Sequence, residues 1–175
     1  MSEAADTVDL AAFKLVAGEA KDFTQEVTLA DIVFGDEHYS VEPKPIVVAV
    51  SASRLVGGGW ALKLNLTAEL HGPCMRCLEP AARTFVIESR EADAPDEEDP
   101  TPELESPYVD GDLLDVGAWA RDALLLDLPA QILCRDDCRG LCPVCGVDLN
   151  ADPSHAHERA PDARFAKLSE LKFDE

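Results

Sequence analysis

Every cysteine of this chain lies within a few residues of another, and two histidines form a fourth close pair. The pairs are Cys74/Cys77 in GPCMRC, Cys134/Cys138 in LCRDDC, Cys142/Cys145 in GLCPVCG and His155/His157 in SHAHE. Thiolate sulfur and imidazole nitrogen are the donors that tetrahedral zinc takes in closed structural sites, and two thiolates joined by a tight turn fill half of such a shell. Four half-shells predict one or two bound zinc ions. Gly140 and Gly146 permit the tight turns of the CPVCG knuckle, which Pro143 stiffens. Backbone N–H groups in such a knuckle can point at the sulfurs and favour the deprotonated form a metal needs.

Four pairs divide into two sites in three ways. The favoured division joins Cys142/Cys145 to His155/His157, because only nine residues separate Cys145 from His155 and short loops close at low entropic cost. Histidines at i and i+2 of an extended segment project to one side. Cys74/Cys77 and Cys134/Cys138 would then form a four-thiolate site. One rival is a ribbon of Cys74/Cys77 with Cys142/Cys145; another groups the four C-terminal cysteines and leaves the first pair to the histidines. The bland reading of His155 and His157 is a solvated polar loop, and four-thiolate sites also hold iron.

The surrounding sequence argues for structure rather than catalysis. Catalytic metal sites keep an open position beside an acid or base, whereas thiolates here are abundant enough to saturate the shell. No HExxH, GxSxG, Walker-type or glycine-rich dinucleotide pattern is present. A thiol redox role is the competing class, although neither CxxC opens a helix after a strand, as a thioredoxin-like site would.

Composition narrows the setting. The N-terminus MSEAADTVDL lacks a basic start and an apolar run, no stretch approaches a membrane span, and cysteines sit at metal spacing; together these predict a cytoplasmic protein with ligand thiols rather than disulfides. With 15 basic against 35 acidic residues and a formal charge of −20, the chain has few cations for phosphates, which disfavours broad nucleic-acid binding. A basic protein partner, or a small local RNA contact, remains compatible with that charge. Arg76, Arg83, Arg135 and Arg139 lie near the cysteine pairs as a candidate basic patch, or as partners of nearby acids such as Asp136 and Asp137. No small-molecule substrate or membrane contact is indicated.

The elements that position these residues read as an α+β fold. Antiparallel hairpins form a twisted sheet or partial barrel, packed by a central helix and followed by a cysteine-rich zinc-binding C-terminal module. Residues 1–22 have weak periodicity and read as a loosely attached leader. A β-rich core is expected over 23–130: FTQEVTL alternates and leads to a turn region, PIVVAVSASRL reverses at Gly57-Gly58-Gly59 into WALKLNLTAEL, and ARTFVIESREA alternates again. Cys74/Cys77 thus fall at the tip of a hairpin. Residues 91–112 hold ten acids, four prolines and no base and read as an acidic loop. A helix over 113–127 with Asp112 as N-cap is expected before Pro129. The module over 131–175 ends in DARFAKLSELKF, an amphipathic segment with Phe165, Leu168 and Leu171 on one side.

The combination of CMRCLEP after a hairpin, an acidic loop, a helix ending LLLDLP, then CRDDCRGLCPVCGVDLN and DARFAKL resembles the YceD family of large-subunit ribosomal RNA accumulation proteins, from about Leu62 to Leu171. The CxRC element falls at Cys74, Arg76 and Cys77, and GLCPxCG at Gly140 to Gly146. The family commonly carries a further CxC pair before its last helix, and the matching positions here are His155 and His157, which supports a ligand role for both. The resemblance implies a cytoplasmic protein needed for large-subunit ribosomal RNA to accumulate. With the chain's acidity, the expected role is a non-enzymatic, zinc-stabilised adaptor for a basic ribosomal protein or assembly factor, the alternative being a thiol- or metal-responsive regulator.

Overall fold

A computed structural model describes residues 6–94 and 105–157. It contains nine strands and one α-helix in the described residues: β1 Thr7–Asp9, β2 Ala20–Val27, β3 Ile32–Phe34, β4 Glu37–Glu42, β5 Ile46–Arg54, β6 Trp60–Pro73, β7 Pro80–Asp93, β8 Val109–Asp110, β9 Leu113–Asp115 and α1 Val116–Asp127. All strand pairings are antiparallel, in agreement with the α+β expectation.

β6 is the spine of the fold. One of its edges pairs with β7 over its full length, from Trp60↔Asp93 to Pro73↔Pro80. The other is shared end to end by β5, which pairs with residues 60–65, and β4, which pairs with 69–71. Alternation drives this: Trp60, Leu62, Leu64, Leu66, Ala68 and Leu70 are buried on one face, and each large apolar side chain so buried contributes about 1.5–3 kcal/mol. Val116, Trp119, Ala120, Ala123 and Leu124 of α1 join the same core. Trp119 is fully enclosed and donates its indole N–H to Ser89 Oγ at 2.9 Å.

Four expectations change. Residues 7–13 are not a loose leader: β1 pairs with β9, and Leu10, in the 3-10 turn that follows, is fully buried. The helix starts at Val116, with Asp115 as N-cap accepting from Ala118 N at 2.8 Å. Asp112 instead accepts from Trp60 Nε1 at 3.0 Å and Arg54 at 3.1 Å, while residues 113–115 are claimed by the pairing with β1. The region after β2, read as a turn, holds the hairpin β3–β4, with Tyr39 and Val41 buried. The acidic stretch is structured at its ends, through β7 to Asp93 and from Ser106, which donates to Asp93 and Glu91. The DARFAKLSELKF segment lies outside the described residues.

Candidate metal centre

The tip of the β6–β7 hairpin and the chain leaving α1 bring the ligand pairs together. Cys74 and Cys77 occupy the turn that closes past Pro73↔Pro80. Met75 N donates to Ile132 O at 2.9 Å, which ties that turn to the segment carrying Cys134 and Cys138. Sγ of Cys74 lies 3.8 Å from Cys138, and Sγ of Cys77 lies 3.6 Å from Cys134. A regular tetrahedron with Zn–S bonds of roughly 2.3 Å has edges of about 3.8 Å. The sulfurs therefore stand at ligand spacing, well beyond a disulfide bond of about 2.05 Å. Three of the four cysteines are buried and Cys134 is half-buried.

The second cluster gathers Cys142, Cys145, His155 and His157. His155 Nε2 and His157 Nε2 each lie 3.2 Å from Cys145 Sγ and 2.9 Å from each other. Tetrahedral zinc edges would be about 3.5 Å for sulfur to nitrogen and about 3.3 Å between nitrogens, so these donors need only a few tenths of an ångström of adjustment. In both clusters all four donor atoms lie within 4.8 Å of one another. The grouping is the one favoured by loop closure, and neither rival division corresponds to it. His71 stands apart on β6, 3.4 Å from Glu69.

Both knuckles share one hydrogen-bond pattern. Cys74 N donates to Glu79 O and Leu78 N to Cys74 O; Cys142 N donates to Val147 O and Gly146 N to Cys142 O. The residue after the second cysteine must then take a left-handed backbone. Gly146 does so freely at φ 73°, whereas Leu78 does so at φ 64°, at a cost of about 1–2 kcal/mol for a residue with a Cβ.

The thiols are electrostatically primed. Burial opposes ionisation of Cys74, but backbone N–H groups at Cys134, Arg76 and Cys77 outweigh it and bring the thiol down to about 6. For Cys77 the backbone at Glu79 favours the thiolate, yet burial and the neighbouring sulfurs prevail and push it up to about 12. Cys134 is raised, chiefly by burial. In the second cluster, backbone N–H groups at Val144 and Cys145 draw Cys142 down to about 6. One sulfur in each set releases its proton readily, and in the first cluster its neighbours then resist a second negative charge, a conflict that a divalent cation resolves. A zinc ion held by either set would supply a rigid cross-link.

Two residues outside the ligand pairs join the clusters. Arg76 donates to Gln131 Oε1 and to Cys138 O, both at 3.0 Å, and its own carbonyl accepts from Leu141 N at 3.0 Å. Gly140 passes so near that a Cβ there would meet Arg76 O at 2.8 Å. Asn150 points its amide at Cys138 Sγ from 3.7 Å and accepts from Arg139 N at 2.8 Å. The sequence reading places Arg76 in the CxRC element and in a candidate basic patch but not as a bridge between segments, and it misses Asn150, whose place just after the CPVCG turn was the available signal. The other arginines of the candidate patch each have a partner within the chain: Arg83 meets Asp136 at 2.7 Å, Arg135 meets Asp137 at 3.2 Å, and Arg139 donates to Pro153 O.

No helix among the described residues is long and apolar enough to cross a membrane. Uncharacterized proteins of Mycobacterium bovis and Mycobacterium tuberculosis are 38% identical over 128 residues, covering 71% of this chain and 58% of theirs. One from Mycobacterium leprae is 32% identical over 133 residues, covering 71% and 56%. The chain thus spans less than two thirds of the length of these curated relatives. No solved structure matches it. The model of the large ribosomal RNA subunit accumulation protein YceD matches residues 62–172, which take in most of β6, all of β7 and α1, and all eight clustered cysteines and histidines. The chain belongs to the YceD family.

Proposed function

We propose that this protein is a non-enzymatic, zinc-stabilised factor that supports large-subunit ribosomal RNA accumulation in the cytoplasm by acting as an adaptor for a basic ribosomal protein or assembly factor. The observation that carries the reading is the convergence of eight donors, all six cysteines among them, into two four-membered sets. Each set would fill a tetrahedral shell, the composition of structural rather than catalytic zinc. Family membership supplies the link to ribosomal RNA. The charge of −20 favours a basic protein over a phosphate backbone, and the arginines near the clusters are engaged within the chain.

Affinity purification of the zinc-loaded chain, with nuclease treatment and high-salt washing, tests this reading. Retention of a defined basic large-subunit protein or assembly factor supports it. Recovery of RNA-dependent associations alone defeats it.

A further inference from the structure

The stretch from Cys145 to His155, which joins the two half-shells of the second set, is strapped along the chain just beyond Cys138 of the first. Leu149 N donates to Gly140 O at 3.0 Å, Leu141 and Asp148 form an isolated antiparallel bridge, and the Arg139 guanidinium donates to Pro153 O at 3.0 Å. Asn150 lies within this strap, and its neighbours fix which way its amide points. Oδ1 faces Arg139 N at 2.8 Å, a group that can only donate, and Nδ2 donates to the Asp148 carboxylate at 2.7 Å. The second N–H of Nδ2 is left for Cys138 Sγ, 3.7 Å away.

The charges of the two shells give that contact its weight. Four thiolates outweigh one divalent cation, so a filled first shell keeps an excess of negative charge, whereas two thiolates and two neutral imidazoles balance the cation in the second. An N–H aimed at a thiolate disperses such an excess. Cys138 is buried, so water is a poor substitute for the amide. Outer-shell partners of metal ligands are worth about 10–100-fold in metal affinity. The donor that serves the first shell therefore sits on the span that the second shell closes.

We propose that Asn150 couples the two metal sites: an ion in the second set fixes the strap between Cys145 and His155, and the fixed strap holds the Asn150 amide against Cys138, tightening the first set on its own ion. Asn150 is a positioning residue, not a ligand. Cys145 and His157 are exposed while Cys138 is buried, so loss of the accessible ion loosens the enclosed one. The inference rests on the two-site zinc reading.

The test titrates the full chain with cobalt(II) against a competing chelator, since the absorption of bound cobalt distinguishes a four-thiolate shell from a mixed thiolate and imidazole one. The affinity of the first set is compared in the parent, Asn150→Ala, His157→Ala and the double variant. Each single variant is expected to bind at the first set about tenfold more weakly, a loss that shows under competition and leaves the first ion in place in the isolated protein. The double variant should bind no more weakly than Asn150→Ala alone, because both changes remove one and the same coupling. Parental affinity at the first set in either single variant would overturn the proposal, and His157→Ala tests it with Asn150 in place. Losses that simply multiply in the double variant would also overturn it, since they would mark Asn150 as a local support indifferent to the second ion. Those outcomes leave the two-site reading intact. Failure of the parent to bind cobalt at the first set would overturn both.

Discussion

The guanidinium of Arg76, at the tip of the β6–β7 hairpin, donates to the main-chain carbonyl of Cys138 at 3.0 Å. That bond joins the two halves of the first cluster independently of any metal. The Arg76 carbonyl, meanwhile, receives Leu141 N from the start of the second knuckle. One residue therefore holds the chain's three cysteine-bearing segments in register. Arg76→Ala removes the side-chain bonds to Gln131 and Cys138, and hydrogen bonds from charged groups are worth about 1.5–3 kcal/mol each. Because Arg76 is exposed, a total loss near about 2 kcal/mol is expected by chemical denaturation. Arg76→Lys should recover only part of it, since an ammonium lacks the planar fork that reaches both acceptors.

Ser89 is the hydrogen-bond partner of a core indole, accepting from Trp119 Nε1 at 2.9 Å. Ser89→Ala strands that buried donor and should cost about 1–3 kcal/mol. Ser89→Thr, which keeps a hydroxyl, should cost less. Equilibrium unfolding of the two variants distinguishes loss of the bond from a general packing defect.

Lys63, at 2.7 Å, and then Arg90, at 2.8 Å, hold the Glu88 carboxyl below the usual glutamate range. A depressed carboxyl contributes stability above its unfolded pKa, and that contribution is lost as pH falls through its lower folded pKa. The effect is small at this exposed site. Carboxyl-carbon NMR titration should place the Glu88 midpoint below that of a free glutamate, and Lys63→Met should move it upward.

Asp112 links β6 to the chain entering β9, by accepting from both Arg54 and Trp60 Nε1, while the Arg54 guanidinium lies 4.7 Å from the Trp60 ring centroid. Asp112→Ala should destabilise the fold by about 1–2 kcal/mol without shortening α1, because the cap is Asp115. Unchanged far-ultraviolet circular dichroism at low temperature, with a lowered unfolding midpoint, is the expected result.

What the sequence made legible follows from the range of the interactions involved. Local alternation in WALKLNLTAEL and ARTFVIESREA sufficed to place Cys74 and Cys77 at a hairpin tip, and the short spacing from Cys145 to His155 sufficed to group the second set. The helix start was misplaced because Leu113–Asp115 is drawn into β9 by Thr7–Asp9, over a hundred residues earlier, and a three-residue strand has no periodicity to detect. The same distant pairing hid the role of Leu10. Glu37–Glu42 reads as polar turn sequence, yet pairing with both β3 and β6 buries Tyr39 and Val41. Asn150 and the bridging role of Arg76 depend on how the knuckles dock, which no single-segment pattern encodes.

The central claim is that the eight donors form two separate four-ligand zinc sites, and native mass spectrometry of protein purified without added metal tests it most directly. The parent is expected to carry two zinc ions. Cys77→Ser should lose the ion of the Cys74, Cys77, Cys134 and Cys138 set and keep the other, while His157→Ala should lose only the ion of the Cys142, Cys145, His155 and His157 set. Each single variant then carries one zinc and the double variant none. Loss of both ions from either single variant, or retention of two by both, would contradict the account.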